Sequence, residues 1–311
     1  MSKKYKYFIF LFLVVLGSGT GTPVVKMLVA DGVDPYVVTF SRIFIPAILC
    51  LMWMIFVSKE LPRLQDFRRH FWPLFFMGAI GVAGLWFLMA IGLQHTEAGK
   101  STLIHSISPV IIVLLSHFVL KEALGWRRIV GIIIACLGLV FCIVGGDLAY
   151  LRRISFNSWD LVYLGTATCF ATYTILIRKY GHQLSYFQTF FWILVASTII
   201  LLPLVIFRLD SLFDITAKQW AYLLYLGIVP GTVCMLLWNK GINIVGAAVG
   251  GIINSFFPVS AIILSAIWFG ERLTWLQYLG AVLVICGIWR GINKTVMPVN
   301  YETGQSLDPE E

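Results

Sequence analysis

The sequence predicts an all-α integral membrane protein of ten transmembrane helices, arranged as two inverted five-helix repeats. Three observations carry that expectation. The first is composition. Of the 311 residues, 59% are hydrophobic and only 12% charged, with a mean hydropathy of +0.88, more apolar than any soluble core of this size requires. The second is run length: apolar stretches of about 20 residues recur, each able to cross roughly 30 Å of hydrocarbon. The third is repetition. Residues 98–122 read AGKSTLIHSISPVIIVLLSHFVLKE, and residues 247–271 read AAVGGIINSFFPVSAIILSAIWFGE. At a constant offset of 149 residues, Ala98 matches Ala247, Ser106 matches Ser255, Pro109 matches Pro258, Ser116 matches Ser265 and Glu122 matches Glu271. The register runs on through Leu124/Leu273, Trp126/Trp275, Gly131/Gly280 and Gly138/Gly287 without a gap. A proline-broken membrane helix at the same place in both halves points to a transporter site.

Taken in order, the spans fall at 7–29, 36–57, 71–93, 98–119, 127–146, 159–178, 187–207, 218–239, 245–269 and 274–292. The first is too long for a signal-peptide core and lacks a cleavage site, so it reads as a retained helix. Connections are short, and no soluble domain fits between the spans. Residues 1–146 therefore form the first repeat and 159–292 the second. The polar, acidic stretch 293–311 reads as a disordered cytoplasmic tail. Fifteen Lys and Arg fall in the loop set that shares the N-terminal side and six in the other, which places both termini in the cytoplasm of a plasma (inner) membrane protein. Five spans per half is odd, so the second copy enters the membrane upside down. That geometry supports alternating access, one half's inward shape being the other's outward shape.

Charge and cysteines exclude other classes. The formal charge of +8 sits in short loops, which argues for topology and against nucleic acid. All six cysteines fall inside apolar runs, without metal-ligand spacing, and read as packing residues. No metal and no cofactor is expected. The Gly99-Lys100-Ser101 run lacks the first glycine of a phosphate loop, since Gln94 stands there. No paired carboxylates, HExxH or serine–lysine set marks an enzyme, and no catalytic residue is assigned.

The runs Pro109, Leu115-Ser116, Lys121-Glu122-Ala123-Leu124, Gly131 and Gly138, echoed by Pro258, Leu264-Ser265, Gly270-Glu271-Arg272-Leu273, Gly280 and Gly287, resemble the EamA-like family of the drug/metabolite transporter superfamily. Lys26 and Ser41-Arg42 resemble it too, and the likeness covers essentially the whole chain. It implies a ten-helix carrier with a central cavity lined by spans one, three, four, six, eight and nine. It does not imply a substrate, because members carry amino acids, sugars, nucleotide-sugars and drugs.

Candidate site residues follow from the broken helices. Proline has no N–H and crowds the carbonyl four residues back. Pro109 therefore frees the carbonyl of His105, and Pro258 that of Asn254, each followed by a serine, Ser106 or Ser255. In lipid such a set must face protein or a water-filled cavity. Either it binds solute, or the prolines are packing kinks. His105 lies roughly 10 Å into its span, and Asn254 lies equally deep from the other face, so the two can converge. Trp86 and Trp238 fall on cavity-lining spans of the family, while Thr22, Tyr173 and Asn239 could supply hydrogen bonds.

Lys26 either snorkels to the outer surface or faces the cavity. Arg42, about two turns into its span, reads as half of a structural ion pair with Glu97 or Asp34. Facing the cavity, either cation would suit a carboxylate or phosphate. No Asp or Glu stands near the middle of a span, so carboxylate proton relays are missing. His105, of ordinary pKa about 6.5, is the titratable group placed to couple protons, and a facilitator that merely equilibrates its solute fits as well.

The expected function is a secondary transporter of a small metabolite, an exporter of amino acids or related amphipathic compounds. It would work in the lipid bilayer as a monomer or weak homodimer. The alternative is a channel-like facilitator, or a carrier of a phosphorylated or nucleotide-type anion.

Overall fold

The computed structural model describes residues 3–96, 98–122, 124–145, 157–208, 214–260, 262–263 and 274–292. Glu97, Ser265, Glu271 and the stretch 293–311 lie outside it. Among the described residues there is no strand. Nine helical stretches are long and apolar enough to cross a membrane: α1 (Phe10–Ala30), α2 (Pro35–Ser58), α3 (Phe71–His95), α4 (Lys100–Leu120), α5 (Trp126–Val144), α6 (Ser158–Tyr180), α7 (Tyr186–Arg208), α8 (Ala217–Val245) and a last one at Trp275–Ile292. A shorter apolar helix, α9 (Ala247–Ser260), precedes that last one, α10. Each expected span has its helix. The eighth runs to Val245 rather than ending near 239, because the segment Met235–Val245 continues in register. The far half of the ninth, and the Ser116/Ser265 and Glu122/Glu271 matches, cannot be followed because their second members lie outside the described residues.

The interiors of the helices follow from their sequences. Helix α4 breaks at Ser106–Ile107 and α9 at Ser255–Phe256, 149 residues apart and ahead of the two prolines, as the missing N–H demands. In α3 and α8 a π-helical stretch interrupts the α-helix at Met77–Gly84 and Gly227–Cys234. Wide turns of this kind collect at functional sites. Some starts carry side-chain caps: Asn157 and Asp160 form a capping box on α6, Thr216 and Gln219 another on α8, and the Asp34 carboxylate accepts the Tyr36 N–H on α2.

Contacts between the halves come in pairs that exchange the halves. Helix α3 packs on α6 as α8 packs on α1, and α2 on α8 as α7 on α3. Helices α2 and α7, α4 and α9, and α5 and α10 meet their own counterparts. The α5–α10 seam is made by Gly131 and Gly138 against Gly280 and Gly287. A Cβ at Gly287 would stand 2.6 Å from both the Ala135 nitrogen and the Gly131 oxygen, so these backbones touch with no room for a side chain. Lipids supply no hydrophobic drive between helices, so such close approach supplies the packing energy. Large apolar side chains such as Phe118, Ile133 and Phe207 project outward, and exposed Trp72, Trp126 and Trp275 stand at helix starts, where a membrane interface places them.

Candidate functional site

At the centre lies a cavity of about 80 Å³ walled by α1, α2, α3, α4, α6, α8 and α9. Ordinary small-molecule pockets start near about 300 Å³, so this cavity is too small for a drug-sized molecule as it stands.

The two broken helices cross at their breaks. The Asn254 amide donates to Ser108 Oγ at 3.1 Å, and Gly251 packs on Ile112 and the Pro109 carbonyl. This crossing sets His105 and Asn254 in one wall. The His105 Nδ1 lies 3.5 Å from Thr166 Oγ1, and its ring lies against Phe257 and Phe170 with centroids 5.2 and 5.9 Å away. Phe170 in turn meets Trp238 at 5.3 Å. Also in the lining, the Arg42 guanidinium sits 4.4 Å from the centre of the Trp86 ring, and its Nη1 points at Met89 Sδ, 3.6 Å away.

Of the sequence candidates, His105, Asn254, Trp86, Trp238 and Thr22 line the cavity. The others do not. Ser106 donates to the Thr102 carbonyl at 2.7 Å, and Ser255 is buried away from the wall. The Tyr173 hydroxyl donates to Asn239 Oδ1 at 2.9 Å in the core, while the Asn239 Nδ2 is buried without a partner. Lys26 donates to the carbonyls of Leu93 and Thr96, at 2.5 and 3.0 Å. There it caps the negative end of α3 rather than facing a solute.

Arg42 requires a correction. The expected ion pair with Asp34 is not made, because Asp34 is held by Arg208 at 2.7 Å. Glu97 lies outside the described residues. Arg42 instead joins the cavity wall, buried to 5% exposure with Nε unpartnered. Sequence reasoning also missed Tyr163 and Thr166. With Phe170 they repeat at three and four residues along α6, a helical stripe that would have marked one face.

Ion pairs pin α4 and α6 together at both ends. Lys100 meets Asp160 at 2.6 Å, with Thr96 Oγ1 donating to the same carboxylate. At the other ends Glu122 accepts the backbone N–H groups of Ala247 and Ala248 at 3.2 and 3.1 Å and faces Arg178 Nε at 3.7 Å. A carboxylate at a helix start is favoured by the helix dipole.

Comparison with known proteins adds the lineage. The model of the EamA-like transporter family matches this chain twice, at residues 5–144 and 157–290. The uncharacterized transporter YyaM of Bacillus subtilis is 26% identical over 76% of this chain and 78% of its own. A probable terminal-alkyne amino-acid exporter of Streptantibioticus cattleyicolor is 26% identical, covering 83% and 84% respectively. A solved crystal structure superposes with a TM-score of 0.73 over 92% of this chain and 97% of the other, at 17% identity. That likeness concerns the fold alone.

Proposed function

Because this chain belongs to the EamA-like transporter family, a family of transporters and not of enzymes, we propose that it is a secondary carrier exporting amino acids or related amphipathic metabolites by alternating access. The observation that carries the reading is the crossing of α4 and α9 at their breaks, beside a small central cavity. Carriers built from inverted repeats bind at such interrupted helices near the bilayer middle. Amino-acid export draws support from the relative named for it and from a wall that mixes aromatic rings with a few polar groups. In this reading residues 1–146 and 159–292 are the two repeats, a monomer suffices because one chain encloses the cavity, and His105 is the group that would couple protons.

His105 and Asn254 should bind the solute. Losing one hydrogen bond to it costs about 1–2 kcal/mol, or roughly a five- to thirtyfold fall in affinity. Purified His105→Ala and Asn254→Ala are expected to bind and transport that much less well, with thermal stability near the parent's for His105→Ala and lower by about 1 kcal/mol for Asn254→Ala, which also loses the bond to Ser108. Parent-like affinity with lowered stability would assign both residues to packing.

The same reading puts both termini in the cytoplasm of the plasma membrane. Cysteines introduced at Lys4 and Glu310 are expected to resist an impermeant thiol reagent in sealed cells. Labelling at either end would contradict the orientation.

A further inference from the structure

We propose that Arg42 anchors a carboxylate of the transported solute, and that the carrier selects amphipathic carboxylates whether or not they also bear an amine. The inference rests on the carrier reading and adds a substrate class to it.

A guanidinium buried to 5% exposure inside a membrane bundle needs a counter-charge, because an uncompensated buried ion is costly. Among the described residues no carboxylate pairs with Arg42. What it has is the face of Trp86 at 4.4 Å and the Met89 thioether at 3.6 Å, with Nε unpartnered. A ring face and a sulfur attract a cation, but neither carries a negative charge. A guanidinium presents its N–H groups as a planar fork that matches a carboxylate in a two-bond geometry, and Nε is the donor left without a partner.

The rest of the wall decides the remainder of the solute. Leu85, Trp86, Phe170, Trp238 and Phe257 offer an apolar and aromatic surface, suited to a hydrocarbon or aryl body. Besides Arg42, the polar members Ser18, Thr22, His105, Tyr163, Thr166 and Asn254 carry no carboxylate, and no Asp or Glu lines the cavity among the described residues. An ammonium group would find neutral acceptors only, so recognition falls on the acid end.

Three probes of one shape separate these roles: 3-phenylpropionate, phenylalanine and phenethylamine, carrying the acid alone, both groups and the amine alone. Binding is measured by thermal shift and intrinsic fluorescence on the purified full chain. The two carboxylates are expected to bind within about threefold of each other, and phenethylamine at least about tenfold more weakly. Arg42→Gln should erase that preference, and Arg42→Lys should keep part of it. Phenethylamine binding as tightly as phenylpropionate, failure of both carboxylates to bind, or an unchanged preference in Arg42→Gln would each overturn the assignment. Should Arg42→Gln not fold, the ranking on the parent chain decides by itself. Counterflow of phenethylamine without counterflow of the carboxylates would sink this assignment and leave the carrier reading standing.

Discussion

Lys100→Met is expected to destabilise the folded protein by about 3 kcal/mol, the lower end of the range for removing one partner of a buried ion pair. The pair holds the starts of α4 and α6 together at 2.6 Å, with side chains 9% and 4% exposed. The lower end applies because it stands at an end of the bundle, where water is near. Asp160 also accepts the Asn157 N–H at 2.7 Å and the Thr96 hydroxyl at 3.3 Å. Methionine fills the lysine's volume without its charge, so the carboxylate keeps these hydrogen bonds but loses its counter-charge. Adding Asp160→Asn removes the stranded charge, and the double variant should recover most of the loss. Thermal unfolding of the three proteins in one detergent gives the comparison. A double variant as unstable as the sum of its singles would mean that packing at this corner, not charge, sets the cost.

Gly287→Leu is expected to separate α5 from α10, at a cost of about 3 kcal/mol, the upper end for overpacking. Its Cβ would meet the Ala135 nitrogen and the Gly131 oxygen at 2.6 Å. Both are backbone atoms, so no rotamer change relieves the clash. Gly280 is bounded the same way by the Gly138 oxygen at 2.5 Å and the Cys142 nitrogen at 2.6 Å. The folded fraction on size exclusion should fall sharply for Gly287→Leu. It should stay near the parent's for Ile285→Leu, half-exposed on the same helix. Normal yield and melting temperature for Gly287→Leu would mean that the two helices part without penalty.

Much of this was legible because the relevant physics is local. Proline forbids a backbone hydrogen bond wherever it stands, so the breaks in α4 and α9 could be read from Pro109 and Pro258. Gly131, Gly138, Gly280 and Gly287 were visible as matched positions of the repeat, but that they meet one another across α5 and α10 is a contact in space. Other features depend on what a side chain meets across space. Ser106 follows His105 by one residue, and one residue turns a helix by about 100°, so its hydroxyl leaves the cavity and bonds its own helix. Tyr173 and Asn239 had the chemistry of a binding pair but found each other. Arg42 read as half of an ion pair because Glu97 and Asp34 were the carboxylates available to it, yet Arg208, distant in sequence, takes Asp34. The π-helical stretches in α3 and α8 had no such signal. Gly78, Gly81 and Gly84 could equally have served ordinary close packing.

The central claim, a carrier and not a pore, is tested most directly by counterflow. The purified chain is reconstituted into proteoliposomes loaded with an unlabelled amino acid or aromatic carboxylate, and uptake of the labelled compound is followed. A carrier that alternates around the His105–Asn254 cavity predicts saturable uptake, accelerated severalfold by the same solute inside. Uptake that rises linearly with concentration and ignores the internal solute would contradict it.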